Sequence, residues 1–147
     1  EINYLELSRQ MSELGAKLIL DTLKLIENKM TNFTEQNESE ATYANKIEKS
    51  ETRINWNDDA EKIIAKINAF CPNPGSWFEL NGNRIKIIKA KEIISKGIPG
   101  TILDENLTIA CSKNAVRIIE LKKEGKQKMT SDEFLRGNKI KTGQSLN

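Results

Sequence analysis

The fold is decided by one stretch, Ala69-Phe70-Cys71-Pro72-Asn73-Pro74-Gly75-Ser76-Trp77, where a helical pattern ends and a β pattern begins. Neither proline can lie inside a helix, because proline lacks an amide donor and its ring clashes with the preceding turn. Each also favours extended geometry at the residue before it, and Gly75 permits backbone angles that other residues resist. We therefore predict a stiff corner between a helix and a sheet, with Phe70 and Trp77 large enough to hold it against a core.

The segment before the corner has helical periodicity. Arg53-Ile54-Asn55-Trp56 predicts a short extended piece, and Asn57 or Asp58 is suited to cap the helix that follows. The helix is predicted over about residues 58–70. Its apolar face consists of Ala60, Ile63, Ile64, Ile67 and Phe70.

After the corner the apolar period changes to two. We predict strands over residues 76–80 and 84–91, joined at Asn81-Gly82, a pair typical of two-residue hairpins. On the return strand Ile85 and Ile87 face one side, while basic residues face the other. Ile88 breaks the alternation, which indicates a bulge.

Shorter strand patterns follow at residues 101–103, 107–111 and 115–121. A basic loop is predicted over residues 122–128, and Thr130 with Glu133 forms a capping box that opens a short helix. Residues 137–147 are polar and are expected to fray. The predicted fold class is mainly β with helices: a small OB-like open β-barrel preceded by one helix, in which closure of the sheet removes its edges.

The N-terminal part is predicted as a separate helix on a linker. Residues 4–29 carry a wide apolar stripe at helical spacing, and residues 30–50 are polar with little periodicity. Such a stripe needs a partner, and the chain begins at Glu1 rather than Met. We therefore expect a fragment, whose helix is exposed or self-associates through residues 7–26 when its own partner domain is absent.

Charge is distributed unevenly along the chain. Residues 1–48 hold 5 Lys/Arg and 9 Asp/Glu, a net of −4, whereas residues 81–147 hold 14 and 7, a net of +7. A basic module behind an acidic leader indicates a polyanionic partner, with a merely solvated lysine-rich surface as the alternative. The candidate phosphate-binding cations are Lys46, Lys49, Arg53, Arg84, Lys86, Lys89, Lys91, Lys122, Lys123, Lys126, Lys128 and Arg136.

Other chemistry is poorly supported by the sequence. There is no histidine, so the commonest general base and a common zinc ligand are missing. Cys71 and Cys111 lack a CxxC partner and are predicted to be free, buried thiols, while the acid pairs at residues 58–59 and 132–133 fit first helical turns. We predict no catalytic residue, no metal and, without a leader peptide or membrane span, a cytoplasmic location.

Several segments together resemble the C-terminal part of the methionyl-tRNA formyltransferases. The corner Phe70-Cys71-Pro72-Asn73-Pro74-Gly75 is similar to the family's F-N-P-W-P-G, with departures at Cys71 and Asn73, and residues 112–114 replace a Gly-rich turn. The other similar segments, in order, are Glu6-Leu7 with Glu13-Leu14-Gly15-Ala16, Ala41-Thr42-Tyr43-Ala44, Arg53-Ile54-Asn55-Trp56, Pro99-Gly100-Thr101-Ile102, and Glu124-Gly125-Lys126 through Met129 to Phe134-Leu135.

The resemblance implies that catalysis and tRNA binding belong to different domains. The family transfers a formyl group from 10-formyltetrahydrofolate to the methionine of initiator tRNA, using catalytic residues in an N-terminal Rossmann-like domain. By this resemblance residues 1–29 are the last helix of that absent domain, residues 30–50 are the interdomain linker, and residues 51–147 are a tRNA-binding barrel. The linker bases Lys46 and Lys49 fall where the family contacts tRNA, and the chain alone is expected to be inactive.

Two other interpretations remain open. The same module occurs in formyltransferases that act on sugar nucleotides and in formyltetrahydrofolate hydrolases, where it would shape a tunnel or a domain interface. It could also be purely structural, ordering a catalytic domain or mediating dimerisation.

Overall fold

The computed structural model describes residues 2–146. It divides into two compact units, which we name the N-terminal unit, residues 5–47, and the sheet unit, which begins at Glu48 and also includes the residues before Leu5.

The N-terminal unit is a long helix followed by irregular chain. Helix α1, Tyr4–Glu27, confirms the predicted helix and ends two residues early. No residue of α1 is buried, and the apolar side chains of Leu7 and Met11 are 45% and 63% exposed. After α1 the unit contains one 3₁₀ turn, Glu38–Glu40, capped by the Asn37 carboxamide oxygen, which accepts from the Ser39 amide at 3.1 Å.

The sheet unit begins with a 3₁₀ turn, Lys49–Thr52, and then helix α2, Ala60–Phe70. The predicted caps Asn57 and Asp58 are wrong, because the residue at the cap is Asp59, whose side chain caps no amide. The segment at residues 112–114 supplies the partner instead: the Ala60 amide donates to the Lys113 carbonyl at 3.0 Å. Asp58 pairs with Lys62 at 2.7 Å.

The proline corner has the predicted extended geometry but not the predicted anchors. Cys71 is extended, both X-Pro bonds are cis, and Gly75 has φ +81° while its amide donates to the Phe70 carbonyl at 2.9 Å. Phe70 and Trp77 are only half-buried. The aromatic core pair is Trp56 with Phe78, in edge contact at 5.8 Å, because strand alternation turns Phe78 inward and Trp77 outward.

Five antiparallel strands form one sheet in the order β1-β2-β4-β3, with β5 also on β4. Register shifts between Ile87 and Ala90 confirm the predicted bulge. The predicted basic loop is partly wrong, because its end forms β5, and the predicted strand at 101–103 makes only isolated bridges. The strands are β1 Trp77–Leu80, β2 Asn83–Ile93, β3 Thr108–Ala110, β4 Ala115–Lys123 and β5 Lys128–Thr130.

The final helix α3, Ser131–Gly137, begins at the predicted capping box, in which the Thr130 hydroxyl accepts from the Glu133 amide at 3.2 Å. The mainly β class with helices is thus confirmed. Aliphatic side chains of α2 and of the inner sheet face, including Ile67, Ile87 and Ile118, fill the core. Both cysteines are buried thiols that form no disulfide in the described structure, as predicted.

Two predictions about the boundaries of the sheet are wrong. The sheet does not close; the edge of β1 is covered instead by the segment before α2, whose Ile54 amide donates to the Trp77 carbonyl at 2.8 Å. The C-terminal residues do not fray up to 146, because Gly143 and Leu146 donate to the Ile102 and Gly100 carbonyls, each at 2.8 Å. Leu146 is buried.

Candidate nucleic-acid interface

The hairpin of β1 and β2 has one apolar and one polar face. Residues paired across an antiparallel ladder share a face, and the register joins Phe78 to Ile85. Phe78 and Ile85 are both 1% exposed. The opposite face therefore carries Trp77 with its partner Lys86, and Glu79 with its partner Arg84.

This outer face carries a line of residues running across the strands. Trp77 pairs with Lys86, Lys86 with Lys122, and Lys122 with Lys128. Arg53 extends the line, because it bridges Trp77 at the outer edge of β1. Neighbouring strands lie about 4.8 Å apart, so these five positions span about 19 Å. We name Arg53, Trp77, Lys86, Lys122 and Lys128 the transverse row.

Two guanidinium groups contact the indole of Trp77. The Arg84 Cζ lies 3.8 Å from the ring centroid and the Arg53 Cζ lies 5.6 Å from it. The Trp77 Nε1–H donates to the Thr52 hydroxyl at 3.1 Å, and that hydroxyl donates to the Lys49 carbonyl at 2.8 Å. We name Arg53, Trp77 and Arg84, with Thr52 behind them, the Trp77 cluster.

Most cations of this face have no carboxylate partner. In the part of the chain that the structure describes, ion pairs within 4.0 Å involve neither Arg53, Arg84, Lys86 nor Lys122. Lys128 is the exception, since its ammonium lies 2.9 Å from a Glu120 carboxylate oxygen. Unpaired exposed cations are available for an anionic ligand.

The remaining predicted site residues are dispersed. Lys89 lies opposite Glu120 on the outer face, and Lys91 lies opposite Arg117. Lys123 lies opposite the buried Ile85, and so on the other face. The rest lie outside the sheet: Lys46 in the N-terminal unit, Lys49 in the 3₁₀ turn, Lys126 in the turn before β5 and Arg136 in α3.

Sequence reasoning missed the role of Trp77, which it places against the core. The signal was available, because a two-residue hairpin at Asn81-Gly82 fixes the register and so places Trp77 beside Lys86 and near Arg84. It also missed Arg117, whose guanidinium donates to Asp104 and to the Thr108 hydroxyl, each at 2.8 Å.

One thiol and two carboxyl groups of the sheet unit have shifted pKa values. Burial raises the pKa of the Cys111 thiol to about 12, so it is no nucleophile at neutral pH. Burial opposes ionisation of Asp104, but hydrogen bonds from Thr108 and from the amides of Asn106 and Thr108, with the Arg117 charge, outweigh it and lower the Asp104 pKa. Hydrogen bonds from Thr130 likewise lower the Glu133 pKa.

A shallow groove lies beside β1. A cavity of about 330 Å³ is lined by Arg53, Asn55, Trp56 and Glu79 among others, and a second cavity of about 200 Å³ adjoins it at Arg53 and Glu79.

Residues 2–146 contain no cluster of three or more metal-ligating side chains. Within the same range no helix has the length and apolar character required to cross a bilayer.

This arrangement defines a class: a mainly β module with exposed cations on one sheet face. Residues 46–139 match the family described as formyl transferase, C-terminal domain, and the chain belongs to that family.

The relatives carry a narrower name. Proteins named methionyl-tRNA formyltransferase from Bradyrhizobium diazoefficiens and Pelagibacter ubique are each 39% identical over 142 residues. The alignments cover 94% and 95% of this chain but 46% of each relative, so the chain spans about half the length of the curated relatives it matches.

Solved structures of HypX from Aquifex aeolicus are also similar. A variant superposes with TM-score 0.63 at 27% identity, covering 85% of this chain and 24% of that one. HypX in complex with tetrahydrofolic acid gives TM-score 0.63 at 25% identity, covering 81% and 22%.

Proposed function

We propose that this chain is the tRNA-binding C-terminal part of a methionyl-tRNA formyltransferase. That enzyme transfers a formyl group from 10-formyltetrahydrofolate to the methionine of initiator tRNA in translation initiation. The single observation that carries the proposal is the transverse row, whose cations extend across one sheet face of a chain that belongs to the formyl transferase C-terminal domain family. Among the described residues, each of these cations except Lys128 lacks an ion pair. Cations on one face can bind the phosphates of a nucleic-acid backbone without contacting a base.

The proposed mechanism is positional. Cations of the sheet face hold the backbone of the tRNA, so that its methionyl end reaches a catalytic domain that contains the reacting groups. Residues 1–29 are proposed as the last helix of that domain and residues 30–50 as the linker, where Lys46 and Lys49 add phosphate contacts. Residues 51–147 are proposed as an OB-like open barrel, the partners are the tRNA and the chain's own catalytic domain, and the location is cytoplasmic.

The proposal is tested by the salt dependence of tRNA binding to the 147-residue chain. Log K should fall linearly with log salt, and Lys122→Gln should reduce the slope by about one, because one phosphate contact is lost. Lys113→Gln is the matched control, since Lys113 is exposed at the opposite end of β4. Binding that is absent, or indifferent to ionic strength, contradicts the proposal.

A second candidate function is favoured by the similarity to HypX. In a related formyltransferase that acts on a sugar nucleotide, or in a formyltetrahydrofolate hydrolase, the module would shape a domain interface instead of binding RNA. A native gel with labelled tRNA separates the two functions, because this alternative requires that the tRNA band does not shift.

A purely structural or dimerising role is a third candidate, suggested by the exposed apolar side chains of α1. Sedimentation equilibrium tests it: self-association that Leu14→Glu abolishes would favour this role, and a strictly monomeric chain would contradict it. Leu14 is 58% exposed, so the substitution leaves the core unchanged.

A further inference from the structure

The indole of Trp77 is the one large aromatic group in the transverse row, and its surface is already occupied. The Arg84 guanidinium lies over the ring at 3.8 Å, and the Nε1–H is bonded to Thr52. Thr52 is itself 5% exposed and is held by the Lys49 carbonyl. The ring is therefore fixed from behind and covered by a cation, which leaves little of it for stacking on a base.

A stacked guanidinium keeps its hydrogen-bonding capacity. A cation–π contact uses the face of the guanidinium plane. The N–H donors point outward within that plane, so they can still form bidentate hydrogen bonds with a phosphate group. Arginine loses rotamer freedom when it binds an anion, and a ring that already holds it reduces that loss. The absence of an ion pair at Arg53 and Arg84 among residues 2–146 leaves these donors available.

Lys86 is held beside the same cluster. A Cβ placed on Gly75 would lie 3.1 Å from the Lys86 Cδ, so the lysine stem passes directly over the glycine backbone. Lys86 is also the ladder partner of Trp77. Three cations, on the segment before α2 and on β2, are thus arranged around one indole at the start of β1.

We propose that Trp77 is a positioning residue, which holds Arg53 and Arg84 so that they bind neighbouring phosphates of one RNA strand. The ligand is the sugar–phosphate backbone, and Trp77 reads no base. The inference rests on the proposed function, because it assumes that the outer sheet face binds RNA. It adds that charge alone does not account for the affinity for RNA, and that stacking of the two guanidinium groups on Trp77 contributes to it.

The first test removes the ring. Trp77→Leu in the 147-residue chain should weaken binding of a fluorescent tRNA transcript by about 10-fold, and Trp77→Phe should restore most of the affinity because a phenyl face still holds a cation. The salt slope distinguishes positioning from stacking. Lost phosphate contacts lower the slope by about one for each contact, whereas a lost base stack lowers the affinity at an unchanged slope and would overturn the inference.

The second test retains every charge. Arg84→Lys should weaken binding by about 5-fold, because an ammonium lacks the planar fork and stacks poorly. The matched Lys113→Arg should leave the affinity within about 2-fold, since Lys113 lies before β4, outside the transverse row, and makes no cation–π contact in the described structure. Equal affinity of Arg84→Lys and the unsubstituted chain would overturn the inference.

Folding and function are separated by the same set of variants. Thermal unfolding shows which variants fold, and Arg84→Lys changes only an exposed side chain, so it still tests the inference if Trp77→Leu does not fold. A chain that binds no tRNA defeats the proposed function as a whole. A chain whose binding responds to Lys122→Gln but not to Trp77→Leu or Arg84→Lys defeats this inference alone.

Discussion

Helices α1 and α2 are both amphipathic, yet they have opposite environments. All 24 residues of α1 lie outside any core, whereas the 11-residue α2 buries Ala60, Ile63, Ile64 and Ile67. The apolar period therefore predicts a helix in both cases but does not identify its partner. In α2 the partner is the inner face of β2 and β4 in the same unit, whereas no residue of α1 is buried.

The largest difference should appear in thiol reactivity. Cys111 is 2% exposed with a pKa of about 12. At pH 8 its reaction with a disulfide reagent should be about 1,000-fold slower than that of an ordinary thiol, because so little thiolate forms. A Leu18→Cys variant supplies the exposed comparison, since Leu18 in α1 is 55% exposed.

Both thiols should react at similar rates in urea, where neither helix nor sheet persists. Fast native labelling of Cys111, or protection of the cysteine at position 18, would break the contrast between the two units. The reaction is followed by absorbance, with peptide mapping to separate Cys111 from Cys71.

Truncation of an apolar side chain should lower the free energy of unfolding much more in α2 than in α1. Ile67→Ala, at a position 0% exposed, should lower the free energy of unfolding by about 3 kcal/mol, because burial is lost and a cavity remains. The matched Leu18→Ala in α1 should change it by less than about 0.5 kcal/mol, as surface substitutions do. Urea titration measures both, and equal losses would show that α1 is buried in solution.

The smallest effect concerns the charged contact between β4 and the loop before β3. Because the Asp104 pKa is lowered in the folded chain, its contribution to stability is present above the unfolded pKa, near 3.8, and is lost as the pH falls through the folded value. Asp104→Asn should cost about 1 kcal/mol at pH 7, since Arg117 loses a charged partner at a partly exposed site.

Acid titration of the two chains checks this prediction. The stability difference between Asp104→Asn and the unsubstituted chain should shrink below about pH 4, where the carboxylate begins to protonate in the unfolded chain, and should disappear below the lowered folded pKa. A difference that stays constant with pH would contradict it. Lys24 and Asp21 of α1, paired at 3.8 Å and mostly exposed, provide the contrasting surface ion pair, for which Asp21→Asn should have no measurable cost.

The features predicted from the sequence share a local cause. The corner, the Asn81-Gly82 hairpin, the bulge near Ile88 and the Thr130 capping box each depend on residues within a few positions of one another. Two of the wrong predictions, the cap of α2 and the frayed C-terminus, depend on distant partners. Residues 143–146 look frayed by composition, but they are ordered by carbonyl groups far earlier in the chain, at Gly100 and Ile102.

The candidate site shows the same limit. Composition identifies which residues are cationic, but only strand register shows that Lys86, Lys122 and Lys128 are aligned while Lys123 faces the other side. Register across the first hairpin follows from its turn, whereas pairing of β2 with β4 spans a long connection that includes β3. No short-range rule fixes that pairing.

Gly75 carries a consequence for anyone redesigning this protein. Gly75 has φ +81°, and a Cβ placed on it would lie 3.1 Å from both the Pro72 carbonyl oxygen and the Lys86 Cδ. The backbone of the corner and the position of the Lys86 ammonium group therefore depend on the same residue. A substitution at Gly75 would change the backbone of the corner and the position of the Lys86 charge together, so neither can be altered separately from this position. A charge of the transverse row can be changed without disturbing the corner by a substitution at Lys122 on β4.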